Sequence, residues 1–337
     1  MVAFMQREVD TSDDDFNEDE ITGKPEEVPD LDLLAIDTGP EWLWFTDGNV
    51  VLVATGGPGD SGHGFCVHSG VLELHSIVFR RWFANDYRPI KAMKILTVSD
   101  TWMDVRDFLT SLYLPLNKRE RSISEACAVY RMAVKYGATH AREEAIQFLE
   151  TRFPERLCDF DNIDYDLDDP LLRPNDPKRI RVKKTDAIEV LNLARAYDLD
   201  SLLAPAFYVC AQLDERTLSQ GALDSHRGVW HKLSAHDRRA CKRGKSCLID
   251  SCDEYSLDLR FLRCKQCKSK RQRLLALTFA EDWPTTHACS FEFTCWFDTV
   301  KPKLICQNCR YRLAHRWKRH REGIWRSIPD MFGLSDS

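Results

Sequence analysis

The spacing of apolar residues changes between residues 50 and 83, and this change limits the folds open to the chain. Residues 50–54 read VVLVA and residues 65–67 read FCV, which are runs typical of short buried strands. From Gly70 onward, apolar residues recur at every third or fourth position, as they do on the buried face of a helix. The sequence therefore predicts a domain in which a small sheet packs against helices.

The first strands are expected to pair through a hairpin. Asp47-Gly48-Asn49 stands between two β-rich runs within residues 41–57, and such a turn signal favours a tight antiparallel connection. Residues 65–68 can supply a third short strand, since they follow a loop rich in glycine.

The remainder of the block predicts one more strand and three more helices. The predicted elements are a strand at 94–99, a helix capped by Asp100 or Thr101 with a stripe of Val105, Phe108, Leu109 and Leu112, and helices at 123–136 and 139–152. Residues 41–155 are therefore expected to form one α+β domain.

Charge is distributed unevenly along the chain. Residues 1–40 hold 2 basic and 13 acidic side chains, whereas residues 226–337 hold 23 basic and 12 acidic ones. The first segment has too few apolar side chains to offset the entropy of ordering, so it is expected to be a disordered acidic arm. Residues 156–184 are charged, contain three prolines and are expected to be a linker. Residues 185–225 are expected to form a helical extension with a turn near Asp198, and 226–337 a basic, cysteine-rich, mainly helical region.

The residues around His68 resemble the signature of the BTB (POZ) domain. The matching positions are Asp47, His68, Val71, Leu72, Ser76 and Phe79. The resemblance covers residues 41–153 and implies a small β-sheet flanked by helices. It implies a role in protein–protein interaction, as a homodimer or with partners such as the cullin of a ubiquitin ligase, or with corepressors at chromatin. It also implies that His68 is a packing residue at a strand-to-helix junction, where we expect it to hydrogen-bond nearby backbone.

Two segments are more specifically similar to the BTB proteins numerous in mushroom-forming fungi. These are FCVHSGVLELHSIVF at 65–79 and the ending GIWRSIPDMFGL at 323–334. The resemblance extends to the C-terminus and implies no particular biochemical activity. Two positions depart from better-known BTB groups. Cys66 stands where the transcription-factor type usually has a basic residue, and TWMDVRDFL offers only aspartates where many adaptors carry a glutamate.

Enzyme motifs are incomplete in this chain. GDSG at 59–62 is similar to the nucleophile segment of trypsin-like proteases, but no histidine precedes Ser61. The same glycines lack the Gly-Lys-Ser/Thr ending of a phosphate-binding loop. We therefore expect a surface turn at this point and a protein that is not an enzyme and has no small-molecule substrate. A hydrolase built on Ser61 is the alternative that labelling by a serine-reactive probe would reveal.

Nine of the 13 cysteines lie between residues 241 and 309. Cys264-Lys-Gln-Cys267 and Cys306-Gln-Asn-Cys309 are two Cys-x-x-Cys pairs separated by 38 residues. Each pair can deliver two thiolates from one turn, and zinc takes four such ligands in a tetrahedral site. We predict a structural zinc ion at these four cysteines; the alternative is that they are reduced residues of a helical core. The substitutes, or members of a second group, are Cys241, Cys247, Cys252, Cys289 and Cys295.

Basic and aromatic residues alternate in RYRLAHRWKRHREGIWRSI at 310–328, which reads as a helix. Together with KSKRQR at 268–273, this segment could meet phosphates and stack on bases. It could equally be the solvated face of a docking helix or a localisation signal.

The sequence as a whole favours a non-enzymatic interaction scaffold or adaptor. No apolar run approaches the roughly 18 residues of a membrane span, and Met1–Asp10 lacks the apolar core of a signal peptide. We therefore expect an intracellular protein of the nucleus or cytoplasm without membrane contact. The alternative function is a chromatin-associated transcriptional regulator whose basic C-terminal region is stabilised by zinc.

Overall fold

The fold is seen in a computed structural model. It describes residues 26–27, 37–56, 62–84, 93–114, 121–165, 180–224, 227–256, 264–269 and 306–334. The chain divides into two compact units. The N-terminal unit comprises residues 1–121 and 128–145, and the C-terminal unit comprises residues 122–127 and 146–337.

A five-stranded sheet lies in the N-terminal unit. Its strands are β1 (Glu26–Glu27), β2 (Asp37–Thr38), β3 (Val50–Ala54), β4 (His63–Val67) and β5 (Lys94–Val98), in the order β1-β5-β3-β4-β2. The central strand β3 is antiparallel to β4 and parallel to β5. All five residues of β3 are buried, because both faces of this strand are covered, and this explains its continuous apolar run. β1 and β2 belong to the segment expected to be a disordered arm, whose other residues, apart from 39–40, lie outside the described ones.

The hairpin expected around Asp47-Gly48-Asn49 does not form within the described residues 41–54. Residues 41–43 form a 3₁₀-helix, and β3 takes its antiparallel partner from β4 instead. Gly48 does not form the predicted hairpin turn but allows its loop to pass close to β4. A Cβ atom at this position would lie 2.6 Å from the Cys66 sulfur, so only glycine permits the close approach of this loop to β4.

Five helices lie between residues 69 and 152. They are α1 (Ser69–His75), α2 (Ile77–Ala84), α3 (Trp102–Tyr113), α4 (Ile123–Lys135) and α5 (Thr139–Arg152). Thr101 caps α3 by accepting a hydrogen bond from the Asp104 backbone N–H, as the sequence predicted. The predicted apolar stripe of α3 is buried. The predicted mixture of helices with a small sheet is therefore confirmed.

Ser76 joins α2 to the end of α4. Its hydroxyl donates to the backbone carbonyl of Tyr136 at 2.5 Å and accepts from the Phe79 backbone N–H at 3.1 Å. Phe79 stacks on Tyr136 with the ring centroids 5.0 Å apart. The Tyr136 hydroxyl in turn donates to Asp100 at 2.6 Å. Ser76 is fully buried, and its hydroxyl both donates and accepts a hydrogen bond, so this polar side chain is tolerated in the core.

The C-terminal unit is mainly helical. Its elements are α6 (Leu157–Phe160), β6 (Ile163–Asp164), β7 (Ile180–Arg181), α7 (Asp186–Ala196), α8 (Asp200–Ala211), α9 (Glu215–Gln220), β8 (Ala222–Asp224), β9 (Val229–His231), α10 (Ala235–Ser256), α11 (Lys265–Ser269) and α12 (Gln307–Phe332). The predicted break between α7 and α8 occurs at Asp198, which has a positive φ of 50°. The segment expected to be a linker carries α6 and β6 near its start and β7 near its end, and residues 166–179 of it lie outside the described ones.

The residues IWRSIPDMF form the last part of α12 and pack against other elements of the C-terminal unit. Ile324, Ile328 and Phe332 recur at helical spacing, and all three are buried. Phe332 lies against Phe207 of α8, with ring centroids 5.3 Å apart. Trp325 donates from Nε1 to the Glu155 carbonyl at 2.6 Å. The segment that carried the family resemblance at this end therefore serves to dock a helix.

Candidate metal centre

The two Cys-x-x-Cys pairs meet at the start of two helices. Cys264 precedes α11 and Cys267 lies within it. Cys306 is the N-cap of α12, and Cys309 lies in the first turn of that helix. In each pair the second cysteine is three positions after the first, and this spacing brings both side chains to the same side of a helical turn.

The four sulfur atoms form a compact cluster. They lie within 4.8 Å of one another. Cys264 Sγ is 3.7 Å from Cys306 Sγ and also 3.7 Å from Cys309 Sγ. Four sulfurs placed tetrahedrally at about 2.3 Å from a zinc ion would be about 3.8 Å apart. The predicted four cysteines are thus brought together at separations that fit a metal ion, and the group could hold one.

Backbone groups near Cys306 favour the thiolate form of this cysteine. The pKa of Cys306 is lowered to about 7, chiefly because its sulfur interacts with the Cys309 backbone N–H and with the Cys309 thiol. Its position at the N-terminus of a long helix favours the same charge. Burial instead raises the pKa of the Cys267 thiol to about 12. A metal ion would compensate this cost, since it displaces the proton and neutralises the thiolate.

Basic residues stand next to the two Cys-x-x-Cys pairs in the sequence, and the structure describes only some of them. Lys265 and Lys268 are exposed on α11. Arg263 lies outside the described residues, and so does the side chain of Arg310. Each of the two described lysines directly follows a cluster cysteine in the sequence, and positive charge near a sulfur favours its thiolate form.

The other cysteines of the tail do not join this cluster where they are described. Cys241 is buried on α10 and interacts with Cys210 of α8. Cys247 is partly exposed on α10. Cys289, Cys295 and the side chain of Cys252 lie outside the described residues. Cys210 and Cys241 are therefore residues of the helical core, and Cys241 does not act as a substitute ligand at this cluster.

A second group of ligand-type side chains was missed by the sequence analysis. Glu189, Asp224 and His231 place one ligand atom each within 4.8 Å of one another. These residues come from one helix and two strands, so no local sequence motif predicts that they lie close together. Only the packing of the β8–β9 hairpin against α7 brings them together.

His68 occupies the strand-to-helix junction that the resemblance implied, but its side chain binds other side chains there. Its Nδ1 lies 3.0 Å from the Tyr113 hydroxyl, and its Nε2 lies 3.2 Å from a carboxylate oxygen of Asp47. The Phe45 ring is 4.9 Å away. We expected His68 to hydrogen-bond nearby backbone, whereas both of its ring nitrogens lie next to side chains, those of Tyr113 and Asp47.

Helix α12 carries the predicted basic segment, and its charges have two different environments. Arg321 forms an ion pair with Asp161, and His320 Nε2 lies 3.0 Å from the Ser251 carbonyl. Lys318 and Arg319 are instead exposed. Residues 270–273 of the second basic run lie outside the described ones, and so does Ser61 of the GDSG segment.

Comparison with known proteins adds no relative. No protein-family model matches the chain, and no curated protein is significantly similar to it. Within the described part of the chain, no helix has the length and apolar character required to cross a bilayer.

Proposed function

We propose that the protein is a non-enzymatic interaction scaffold or adaptor, built on a BTB-like N-terminal unit and completed by a zinc-stabilised C-terminal unit. The observation that carries the proposal is the order of elements from β3 to α5. Two strands, two helices, one strand and three helices follow one another, which is compatible with the small β-sheet flanked by helices that the BTB resemblance implies.

The signature residues support this proposal through their contacts. Leu72 and Phe79 are buried, Ser76 joins α2 to α4, and Asp47 and His68 are paired at the junction. Their arrangement serves packing, since each polar group is used to position a neighbouring element. A substrate-binding role for His68 has no support in this geometry.

The four-cysteine centre fits a structural role for zinc. Four thiolates complete a tetrahedral shell, whereas catalytic zinc sites keep one position for water or substrate. The centre would join α11 to the start of α12, two segments that are far apart in the sequence. Metal binding would in this way stabilise the C-terminal unit without taking part in a reaction.

The exposed face of α1 is the best candidate for partner binding on the N-terminal unit. Leu74 on α1 is 69% exposed, the highest exposed fraction among the large apolar side chains described for this unit. An apolar side chain that is exposed on the free protein gains stabilisation when a partner removes it from water. We place the partner or second copy against this face.

Changing Leu74→Glu is expected to reduce partner recovery at least about tenfold, because an interface contact would be replaced by a buried charge. The tagged full-length protein is purified from its own cells and the proteins retained in stoichiometric amount are identified by mass spectrometry. Recovery of a cullin with its RING subunit would indicate an adaptor, and recovery of the protein itself a self-associating scaffold.

The matched control is Gln147→Glu, which adds the same charge at an exposed position of α5. This variant is expected to retain the partner at the level of the unchanged chain. Equal recovery by both variants would remove α1 as the contact face. Absence of any stoichiometric partner, self-association included, would contradict the scaffold proposal itself.

The alternative function, a chromatin-associated regulator, is favoured by the exposed cations of α12. Arg312, Lys318 and Arg319 are exposed on one helix. If they contact phosphates, changing all three to serine should weaken retention on DNA or RNA at low salt and reduce the slope of log affinity against log salt by up to about three. Unchanged retention in a gel-shift titration would exclude this function for α12.

A further inference from the structure

A second set of potential metal ligands lies in the C-terminal unit, separate in ligand type from the four cysteines. Glu189 lies on α7, Asp224 ends β8 and His231 ends β9. Their ligand atoms lie within 4.8 Å of one another. The set combines one imidazole nitrogen with two carboxylates, which is a ligand chemistry that zinc and neighbouring transition metals accept.

The register of the hairpin places two of these residues on one face. His231 pairs with Ala222, and Asp224 pairs with Val229. Side chains alternate across a strand, so residues 222, 224, 229 and 231 share a face, while Leu223 and Trp230 share the other. Asp224 and His231 are therefore diagonal neighbours across the hairpin. Asn192 donates from its side chain to the Lys232 carbonyl at 3.2 Å, which holds this end of β9 next to α7.

The ring of His231 is directed into this group. Its Nε2 atom is buried and has no hydrogen-bond partner among the described residues. It lies 3.5 Å from Glu189 Oε2, which exceeds normal hydrogen-bond length. Two ligands placed tetrahedrally at about 2.1 Å from zinc would be about 3.4 Å apart. The separation of these two atoms therefore fits a shared metal ion better than it fits a direct hydrogen bond.

Negative charge accumulates around the same point. The side chain of Glu189 is 7% exposed, so its carboxylate is largely removed from water. Asp186, one turn earlier on α7, interacts electrostatically with both Glu189 and Asp224. Lys183 is a cation that faces Asp186. These three carboxylates bring negative charge to the point into which the His231 ring is directed.

We propose that Glu189, Asp224 and His231 bind a zinc-class divalent metal ion. The ion joins the β8–β9 hairpin to α7. Three protein ligands leave one coordination position for water, in contrast to the closed shell of the four-cysteine centre. The protein thus has two metal sites of different ligand chemistry, and this second site does not depend on the scaffold function or on the first site.

The test is metal stoichiometry in the full-length chain, with zinc and cobalt ions as the probes. Zinc bound after dialysis is counted by elemental mass spectrometry, and cobalt binding is followed by absorption, because thiolate ligands give strong charge-transfer bands that nitrogen and oxygen ligands lack. The unchanged chain is expected to bind about two equivalents. His231→Gln is expected to bind about one and to keep the charge-transfer bands. Cys309→Ser is expected to keep the equivalent that lacks these bands.

The matched control is His236→Gln, since His236 is a largely exposed histidine at the start of α10. It is expected to retain both equivalents. Glu189→Gln is a second, nearly isosteric variant that should lose the same equivalent as His231→Gln, and circular dichroism checks that both variants fold. A single equivalent in the unchanged chain that shows the thiolate charge-transfer bands would overturn the proposal, whether or not the variants fold. Two equivalents in a folded His231→Gln chain would overturn it as well.

Discussion

A Cys309→Ser chain is expected to lose tight metal binding at the four-cysteine centre. The serine hydroxyl cannot replace a thiolate, and zinc requires four soft ligands at this kind of site. Changes at groups that merely hydrogen-bond a ligand reduce metal affinity about 10–100-fold, so loss of a ligand itself should cost more. Structural zinc contributes about 10–16 kcal/mol in isolated fingers. Here the loss of stability should be concentrated at α11 and the first turns of α12, because the distal end of α12 is held by packing.

Cobalt titration with absorption detection measures this effect directly, and hydrogen exchange reports the order of α11 and α12. Cys158→Ser is the matched control, since Cys158 is an exposed free cysteine of the same unit. The control should bind metal like the unchanged chain. If Cys309→Ser kept the charge-transfer bands at unchanged affinity, the four cysteines would not form the site. If the unchanged chain took up no metal with such bands, the structural role of zinc would be wrong.

Binding at this centre should weaken as the pH falls, because protons compete for the thiolates. The pKa of Cys306 is lowered to about 7, so this thiol is already half ionised near neutral pH. The pKa of Cys267 is raised to about 12, so its proton must be displaced by the metal ion at any physiological pH. The metal ion must therefore displace a proton from Cys267 over the whole physiological pH range. At Cys306 it competes with a proton mainly below about pH 7.

Local patterns predicted most of the helices and the cysteine centre. Helical periodicity located α3, α4 and α5 to within about two residues, because their buried faces repeat every three to four positions. The Cys-x-x-Cys pairs were equally visible, since each pair lies within one turn. What the sequence could not show was that 38 intervening residues would allow the pairs to meet.

Features that depend on distant partners were missed or misassigned. The Asp47-Gly48-Asn49 turn signal predicted a hairpin, but β3 pairs with the later strand β4, so tertiary pairing outweighed the local preference. Tyr113, a partner of His68, lies 45 positions away. Glu189, Asp224 and His231 are likewise separated by elements whose packing no periodicity reveals.

Phe332→Ala is expected to destabilise the C-terminal unit by about 3–5 kcal/mol. The ring is fully buried and lies against Phe207. It also contacts α10 at Gly244, where an added Cβ atom would be 2.3 Å from the ring. Glycine inside a helix costs about 1 kcal/mol relative to alanine, so its presence in α10 is explained by the room that this ring requires. Truncation would leave a cavity between three helices.

Hydrogen exchange of the α12 amides measures this loss, and Tyr311→Ala is the matched control. Tyr311 is an aromatic residue of the same helix but is 71% exposed, so its removal should change stability by less than about 0.5 kcal/mol. Gly244→Ala should destabilise the unchanged chain by about 1–3 kcal/mol through overpacking, and much less in the Phe332→Ala background, where the cavity accepts the methyl group. If Gly244→Ala destabilised both chains equally, the Phe332 ring would not be the reason that residue 244 is glycine.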